Sequence, residues 1–429
     1  MWDQLAIGPP DPQIWDPLTG SFVTVPINDN SNIFCAGHAP LPDGRVLVVG
    51  GHITSFVGLS VSRIFDPATN QWAAPPDMNF VRWYPSVTAL PDGRMLVTSG
   101  AINCEGCNAN TPETYDPAND SWTSLTSAAL ALPLYPHLFV LSDGRILNTG
   151  SYEQATPTRA LNLSTQTWTT INSAVLNGGS AAMYLPGKII KSGIGTNAAL
   201  DVSSTPSTAT TYVLDMNQPT PSWRQTASMA NRRDFHNLTI LPDGKVLVTG
   251  GGTTIGATDV ANGVLPAEMW DPSTEAWTTM ASMHSSRLYH STAVLMPDAR
   301  VLITGGGRNA GAAQPATDQL SGEIYSPPYL FRGPRPAITS APATVSYGQA
   351  FTVQTPDASR IAKVVLMRLS SVTHGFNWNQ RYVPVNFTVG TGSLSVTAPA
   401  NANQAPPGYY MLFIVDTNGV PSVATMVRF

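Results

Sequence analysis

A repeated turn-and-strand motif constrains the fold of this chain more than any other feature of its sequence. Each copy reads Leu-Pro-Asp-Gly-Arg or a close variant, followed by an apolar run that ends in glycine. Copies begin at Leu41, Leu90, Leu141, Leu241 and Met296, and a degenerate one begins at Tyr184. Pro-Asp-Gly favours a tight turn, and the β-branched run favours a buried strand. Each copy therefore predicts a turn followed by a strand.

A second motif alternates with the first and predicts an outer hairpin. It reads apolar-aromatic-Asp-Pro, a short turn, then an aromatic residue. Clear copies begin at Ile14, Ile64, Thr114 and Met269, and weaker ones begin at Leu161, Tyr212 and Ile324. A spacing of roughly fifty residues is typical of kelch-type blades. With four strands per blade, the motifs predict a seven-bladed β-propeller. The first outer hairpin lacks a complete inner pair, and we expect Met1-Trp2 to be the tail of that pair.

The pattern changes after Tyr329, where Phe331–Pro336 has the composition of a linker. Alternating strands then continue to the end of the chain, which is typical of an immunoglobulin-like β-sandwich. We therefore predict an all-β protein with two domains, a propeller over residues 1–332 and a sandwich over residues 333–429.

Composition supports this fold class and excludes several functions. Charged residues make up only 11%, and the chain holds 35 Gly and 37 Pro, which suits short strands joined by turns. The net charge is 22 − 27 = −5, so nucleic acid is not an expected partner. No run of 18 apolar residues occurs, so no membrane span is expected. The three cysteines are too few for a disulfide framework. Cys104 and Cys107 are candidates for a local disulfide.

The inner motif also provides a register that points to a site. Six residues before the leading Leu or Met of the clear copies stand Cys35, Tyr84, Tyr135, Phe235 and His290. The innermost strands of a propeller line its channel, so equivalent positions form a ring around the mouth. Cys35 and Tyr84 are in consecutive blades and should be neighbours. Tyr289 precedes His290, and both reach one metal only if the strand bends at its entry, because adjacent strand residues point to opposite faces.

Imidazoles and phenolate oxygens in tetragonal geometry suit Cu(II). The register singles out His290 among the seven histidines. His374 is a candidate for a second nitrogen, since it follows the predicted strand Val364–Leu369 at a turn that is able to project into the channel.

The chain resembles the copper radical oxidases, which include galactose oxidase and, more similar still, glyoxal oxidase. The resemblance covers essentially the whole chain. Its carriers are FCAGHAPLPDGRVLVVGGH, RWYPSVTALPDGRMLV, LYPHLFVLSDGRI, DFHNLTILPDGK, RLYHSTAVLMPDARVLITGGG and SSVTHGFNWNQRYVPV. Each segment alone is weak evidence for the family. Their common order across two domains is a very specific match to it.

The resemblance implies a role for each matched residue. Cys35 would form a thioether with Tyr84, and the pair would hold a radical. Copper would bind Tyr84, Tyr289, His290 and His374, with Tyr289 as general base. The substrate would be a small aldehyde of the glyoxal or methylglyoxal type, or a primary alcohol, and O₂ would be reduced to H₂O₂. No organic cofactor is implied.

Departures from galactose oxidase bear on the substrate. The loop that contains Cys104 and Cys107 lacks the tryptophan that stacks on the cross-linked tyrosine there. Trp83 and Trp378 are candidates for that shielding, with simple packing as the alternative for each. The sugar-binding arginine is also missing, so galactose is not the expected substrate. We expect Tyr135, Phe235 and His236 to line the substrate mouth.

Three alternatives stay open at this stage. Kelch-type propellers often bind proteins or glycans without catalysis. The substrate of an oxidase is alternatively a primary alcohol of a carbohydrate. A third alternative is a copper-binding relic in which the cross-link never forms. The family implies secretion, although Met1-Trp2-Asp3-Gln4 is not a signal peptide, and we expect a monomer.

Overall fold

A computed structural model describes residues 12–194, 205–256, 260–307 and 318–429. The predicted role of Met1-Trp2 lies outside these residues. Nearly all regular structure in the described residues is β-strand, together with four short 3-10 helices, Thr126–Ala128, Val260–Asn262, Pro328–Phe331 and Ala358–Arg360. None of these helices is long and apolar enough to span a membrane.

A two-stranded hairpin and six larger sheets form the first part of the chain. The hairpin pairs β1 (Gln13–Trp15) with β2 (Phe22–Thr24). Sheet 1 contains β3 (Gly37–Pro40), β4 (Val46–Val49), β7 (Ser62–Asp66) and β8 (Gln71–Ala73), with a small hairpin of β5 (His52–Thr54) and β6 (Val57–Gly58) between them. Sheet 2 contains β9 (Ser86–Ala89), β10 (Met95–Thr98), β11 (Glu113–Asp116) and β12 (Ser121–Ser124). Sheet 3 contains β13 (Pro136–Val140), β14 (Ile146–Ser151), β15 (Thr158–Asn162) and β16 (Thr167–Asn172).

The same meander order continues in the next three sheets. Sheet 4 contains β17 (Ser180–Leu185), β18 (Lys188–Ser192), β19 (Thr211–Asp215) and β20 (Arg224–Gln225). Sheet 5 contains β21 (Asp234–Ile240), β22 (Val246–Gly252), β23 (Pro266–Asp271) and β24 (Ala276–Ser282). Sheet 6 contains β25 (Thr292–Leu295), β26 (Val301–Thr304) and β27 (Gly322–Tyr325). The innermost strands of successive sheets contact each other, β3 with β9, β9 with β13, β17 with β21, and β21 with β25. This arrangement is a β-propeller, and the count of seven blades stays a prediction.

The second part of the chain is a β-sandwich. One sheet has the order β28 (Ala350–Gln354), β34 (Ser393–Thr397), β33 (Phe387–Gly390). The other has the order β32 (Tyr382–Val385), β29 (Ile361–Arg368), β35 (Tyr409–Asp416), β36 (Thr425–Arg428). A short hairpin of β30 (Val372–Thr373) and β31 (Phe376–Asn377) leaves this sandwich after β29, and we call it the His374 hairpin. The predicted division at residue 332 stays a prediction.

The repeated motifs form the turns that their residues favour. In the first copy, the Asp43 carboxylate accepts a hydrogen bond from the Arg45 amide at 3.1 Å, and Gly44 adopts φ +97°. The copy that reads Met-Pro-Asp-Ala-Arg keeps this turn with Ala299 at φ +65°. The outer aromatic residues join neighbouring blades. Trp72, for example, donates from Nε1 to the Val25 carbonyl at 2.8 Å, which places the β1–β2 hairpin next to sheet 1.

The turns of the inner hairpins face the sandwich. Lys363 donates to the Asp243 carbonyl at 2.8 Å, and Arg335 donates to the Asp298 carbonyl at 2.8 Å. From this side the His374 hairpin reaches along the propeller axis toward the opposite end of the inner strands. Gln380 at its base bonds the backbone of β21, at Leu238 O (2.9 Å) and Ile240 N (3.1 Å).

Candidate metal centre

The ring predicted from the sequence register is a set of five buried or half-buried residues with an unusual backbone. Each has a positive φ: Cys35 +65°, Tyr84 +65°, Tyr135 +43°, Phe235 +57° and His290 +66°. Non-glycine residues are strained in this region by about 1–3 kcal/mol each. The Tyr84 amide donates to the Cys35 carbonyl, and the Tyr135 amide donates to the Tyr84 carbonyl, both at 3.0 Å. The chain thus bends sharply at the mouth end of each of these inner strands.

Buried arginines anchor three of these bends. Arg82 pairs with Glu113 at 2.9 Å, and both side chains are fully buried. Arg82 also donates to the Ser99 and Thr111 carbonyls at 2.7 and 2.6 Å. Two further pairs, Arg233–Glu268 at 2.8 Å and Arg287–Glu323 at 3.0 Å, repeat the arrangement. Each pair ties the entry of an innermost strand to the third strand of its own sheet.

The anchor in sheet 6 explains how one blade presents two adjacent side chains. Arg82 and Arg233 stand two residues before their ring positions, whereas Arg287 stands three residues before His290. The extra residue, together with the positive φ of His290, brings Tyr289 and His290 to the same side. Their ring centroids lie 3.8 Å apart. The bend that the sequence required for joint binding is therefore present.

The His374 hairpin delivers a side chain from the sandwich. His374 is 3% exposed and has φ +50°, and its Nδ1 lies 2.7 Å from the Thr373 hydroxyl. Gly375 follows at φ +74°, where a Cβ would lie only 2.7 Å from the His236 carbonyl oxygen. This tight passage fixes the hairpin against β21.

Two phenols and two imidazoles meet at the mouth. The hydroxyls of Tyr84 and Tyr289 are in hydrogen-bond contact. The His374 ring lies 4.5 Å from Tyr84, 5.0 Å from Tyr289 and 4.7 Å from His290, centroid to centroid, and it is nearly perpendicular to the last two. The structure thus brings together all four side chains that the resemblance assigns to copper.

Tyr84 lies between two flat rings. Trp83 stacks on one face at 3.6 Å and 8°, and Tyr135 stacks near the other at 4.6 Å and 23°. Trp83 is held by a 2.9 Å hydrogen bond from its Nε1 to His52. Trp378, the other candidate for shielding, packs instead against Tyr135 at 5.1 Å. The adjacent Trp83 therefore takes the stacking position.

The three cysteines comprise one disulfide pair and one free thiol, as the sequence suggested. Cys104 and Cys107 form a disulfide, and Cys35 is a free, buried thiol. Burial raises the pKa of Cys35 well above its usual value, while hydrogen bonds with Tyr84 and Trp83 act in the opposite direction. The thiol thus lies beside the tyrosine with which the resemblance pairs it.

Burial keeps the cluster uncharged in the absence of a cation. It raises the pKa of Tyr84 and Tyr289 well above the usual value for a phenol, and it lowers the pKa of His374 well below that of an exposed imidazole. Neutral imidazoles are the form that binds metals. Phenolates at this depth require a nearby positive charge, and a divalent metal ion would supply one.

The donor set fits copper. Nε2 of His374 is buried and has no hydrogen-bond partner among the described residues. Nδ1 of His290 lies 3.1 Å from the Gly307 carbonyl, which orients the ring and leaves Nε2 to carry the lone pair. No group of three or more His, Cys, Asp or Glu side chains converges within the described ranges. A metal held at the mouth would therefore need the phenol oxygens, and two imidazoles with two phenolates suit Cu(II).

The predicted lining residues differ in their contacts. Tyr135 donates to the Ala36 carbonyl at 3.0 Å, and the Phe235 ring lies edge-on to Tyr289 at 5.2 Å. His236 bonds through Nε2 to Ser192 at 2.9 Å, toward sheet 4. The lining role of all three stays a prediction.

Two residues beside the cluster, Tyr152 and His52, are not among those that the sequence predicts. Tyr152 is 1% exposed, and its ring lies 5.3 Å from His374 and 6.3 Å from Tyr84. Its hydroxyl donates to the neighbouring Glu153 at 2.5 Å. A register counted eleven residues forward from Leu141 reaches Tyr152, and from Leu41 it reaches His52, the partner of Trp83. This forward count was the signal available in the sequence.

Family models match both parts of the chain. The glyoxal oxidase N-terminus model matches residues 14–329, and the galactose oxidase-like early set domain model matches residues 335–429. The chain belongs to the copper radical oxidase family of galactose and glyoxal oxidases. The all-β fold of a propeller and an early-set sandwich is the fold of this family.

Individual relatives carry different substrate names. A galactose oxidase of Gibberella zeae is 30% identical over 96% of this chain, which spans 63% of that relative's length. An aldehyde oxidase of Vitis pseudoreticulata is 27% identical over 94% of this chain and 83% of its own. The solved structure of a fungal alcohol oxidase of the AA5 family, in complex with copper, superposes with a TM-score of 0.85 at 26% identity, covering 98% of this chain and 90% of that one. Family membership thus supports an oxidase, and the names of the relatives do not distinguish aldehyde from alcohol substrates.

Proposed function

We propose that this protein oxidises small aldehydes of the glyoxal or methylglyoxal type, or primary alcohols, with O₂ and produces H₂O₂. One observation carries the proposal. The Tyr84 and Tyr289 hydroxyls meet beside two perpendicular imidazoles, with a buried thiol next to Tyr84 and a tryptophan stacked on it. A scaffold that only binds a partner has no need for this buried, strained arrangement.

Tyr84, Tyr289, His290 and His374 would hold one copper ion. Bound there, copper would supply Lewis acidity toward a substrate hydroxyl and the one-electron redox chemistry that a reaction with O₂ requires. The two imidazoles are oriented by Gly307 and Thr373, as metal-binding histidines usually are by a second hydrogen bond.

The protein's own side chains would divide the remaining chemistry. Cys35 and Tyr84 would join as a thioether with the loss of two hydrogens, and this unit would hold the radical. In its radical form Tyr84 removes a hydrogen atom from the substrate carbon and becomes a phenol. Tyr289 accepts the substrate hydroxyl proton as general base. Trp83 and Tyr135 cover the two faces of Tyr84 and exclude water from the radical.

Small substrates fit the character of the mouth better than sugars. Tyr135 and Phe235 would line that mouth with aromatic rings, and the arginine that binds sugar in galactose oxidase has no counterpart before Tyr135, where the sequence reads ALALPL. We therefore place aldehydes first among the substrates. We include secretion, which the family implies, and a monomeric state in the same proposal.

Intact mass and peptide mapping after copper loading in air test the proposal. We expect a loss of two hydrogens in the wild type, localised to a cross-linked peptide that contains Cys35 and Tyr84. The Cys35→Ser variant, as control, should keep its full mass. If Cys35 stays alkylatable after copper and O₂, the oxidase proposal fails and a binding scaffold becomes the better interpretation.

A further inference from the structure

The indole of Trp83 has a hydrogen-bond partner that the proposed oxidase chemistry does not use. Its Nε1–H donates to Nδ1 of His52 at 2.9 Å, and Trp83 itself is 5% exposed. An indole N–H is only a donor, so Nδ1 of His52 is the accepting nitrogen and carries no proton. A neutral His52 therefore has its proton on Nε2. Burial lowers the pKa of His52, which favours this accepting form.

The propeller repeat does not require a histidine at this position. The equivalent position lies eleven residues after the leading Leu or Met of each inner motif. In sheets 2, 5 and 6 it holds Ala101, Gly252 and Gly307, and in sheet 3 it holds Tyr152. Three of the four are small residues with no polar side-chain atom. The imidazole of His52 thus meets a local need in sheet 1 rather than a need of the repeat.

The backbone around His52 is held tightly against the segment that carries Trp83. The Gly51 amide donates to the Arg82 carbonyl at 3.1 Å. A Cβ on Gly58, at the end of the β5–β6 hairpin, would lie only 2.3 Å from the Arg82 carbonyl carbon. This close approach leaves room for glycine alone, and it sets the imidazole at a fixed distance from the indole.

Aromatic rings surround the pair of Trp83 and His52 without replacing this hydrogen bond. Phe56 lies 5.0 Å from Trp83 at 56°, and Phe34 lies edge-on to His52 at 5.7 Å. These rings pack against the pair but have no oxygen or nitrogen that accepts from an N–H. The hydrogen bond to His52 is directional, and it therefore selects the orientation in which the indole lies at 3.6 Å and 8° on Tyr84.

The hydrogen bond also changes the electron density of the stacked rings. An N–H that donates to a neutral imidazole is polarised toward its acceptor, which leaves the indole richer in electrons. A radical on Tyr84 would be an electron-poor ring, and an electron-rich ring stacked on it stabilises it. The radical form of Tyr84 would gain more from this contact than the reduced form, so the potential of the couple would fall.

We propose that His52 is a positioning residue that holds the Trp83 indole flat on Tyr84 and lowers the potential of the radical there. This inference rests on the proposed oxidase function and adds to it a residue outside the four proposed donors. In the one-electron couple, the Tyr84 radical gains one electron and becomes the phenolate. His52 and Trp83 exchange no electron or proton in this step, and His52 acts through Trp83.

The test compares substitutions that remove or keep the acceptor. His52→Phe keeps a ring and removes the acceptor, and His52→Leu does the same with a smaller side chain, in case phenylalanine does not fit. His52→Asn keeps an acceptor, because its amide oxygen takes a place close to that of Nδ1. Thr158→Val is the matched control. Thr158 lies on β15 of sheet 3, where its hydroxyl accepts the indole N–H of Trp223 at 2.7 Å.

The first readout uses metal-free protein and does not depend on oxidase activity. The NMR signal of the Trp83 indole N–H is identified by its loss in Trp83→Phe. In His52→Phe and His52→Leu we expect this signal to move upfield and its hydrogen to exchange with solvent about tenfold faster. In His52→Asn and Thr158→Val it should stay near its wild-type position. A signal that does not move in His52→Phe would mean that the hydrogen bond is absent, and the proposal would fall.

The second readout is the potential of the Tyr84 radical in copper-loaded protein whose cross-link has been verified by mass. The radical is followed by its absorption during a redox titration. At a fixed applied potential, we expect the ratio of radical to reduced protein to fall about tenfold in His52→Phe and His52→Leu, which is about 59 mV for a one-electron couple. In His52→Asn and Thr158→Val the ratio should stay within about threefold of the wild type.

The outcomes separate the two proposals. If the wild type forms neither the cross-link nor the radical, the oxidase function fails and the role of His52 fails with it. If the wild type forms the radical and His52→Phe has the same potential, the oxidase function stands and the role of His52 is wrong. A shift in His52→Asn or Thr158→Val as large as that in His52→Phe would also overturn this role, because it would indicate a general loosening rather than the loss of one acceptor.

Discussion

The two ends of the inner strands come from one repeated motif and differ sharply in what they hold. At the turn end, Asp43 and Arg45 pair on the surface, with side chains 46% and 37% exposed. At the mouth end, Arg82 and Glu113 pair with no exposure at all. Both ends require positive φ values. The turn end places glycine or Ala299 there, and the mouth end places aromatic residues, a cysteine and a histidine.

The difference shows at which end of the repeated strands the backbone strain lies. Turns with glycine need no compensation, since glycine adopts positive φ freely. Bulky residues at positive φ persist only where surrounding contacts over-determine them. The buried Arg–Glu pairs and the backbone hydrogen bonds between neighbouring ring residues provide those contacts. Strain that clusters at one end of the strands is therefore a marker of the site.

Removing a tyrosine hydroxyl at each end should give the largest difference, and this difference should appear in kcat. Tyr289→Phe deletes the proposed general base, so we expect kcat to fall by about 10²- to 10⁴-fold. Tyr329→Phe deletes a buried hydroxyl at the turn end, where it donates to the Ala299 carbonyl at 2.6 Å. That variant should lose only about 1 kcal/mol of stability and keep its kcat. Similar rates for the two variants would contradict the assigned role of Tyr289.

Breaking an ion pair should reduce the free energy of unfolding more at the mouth end than at the turn end. Arg82→Ala leaves Glu113 buried without its partner, and we expect a loss of about 3–5 kcal/mol in the free energy of unfolding. Arg45→Ala removes an exposed pair and should cost at most about 1 kcal/mol. Denaturant titration measures both. If Arg82→Ala unfolds no more easily than Arg45→Ala, the arginine anchors do not hold the mouth.

The smallest expected difference is in the stability cost of replacing two glycines that have similar backbone φ angles. Gly375 has φ +74° and a Cβ there would meet the His236 oxygen at 2.7 Å, whereas at Gly93, with φ +86°, the nearest atom would be Pro42 Cγ at 3.5 Å. Both changes to alanine carry the backbone cost of about 1 kcal/mol. We expect Gly375→Ala to cost about 2 kcal/mol more and to weaken copper binding, as measured by calorimetry. Equal losses of stability in the two variants would mean that the His374 hairpin accommodates the added methyl group without strain.

The sequence predicts the regular part of this molecule well, because periodic motifs have local causes. The Pro-Asp-Gly turns set the strand pairs, and counting from them places Cys35, Tyr84 and His290 at one level. Trp83 as the residue stacked on Tyr84 was one of two candidates, since neighbours in sequence rarely share a face in a strand. The positive φ of Tyr84 changes that geometry, and strain of this kind has no sequence signature.

Contacts between distant segments were not predictable in the same way. Arg82 meets Glu113 across 31 residues, and Arg287 meets Glu323 across 36. Many other acidic residues stand at comparable distances. The extra residue between Arg287 and His290 becomes meaningful only when the anchors are known. The burial of Glu153 was not predictable for a similar reason, because a glutamate in a loop is usually exposed.

The His374 hairpin would make the proposed copper site a product of assembly rather than of either half. Three of the four proposed donor side chains belong to the propeller, and the fourth, His374, belongs to the hairpin that leaves the sandwich after β29. If copper binds as proposed, a chain whose sandwich has not yet docked would offer it an incomplete set of ligands. Copper uptake would then report completed folding, and the reactive centre would form only after the two halves have joined.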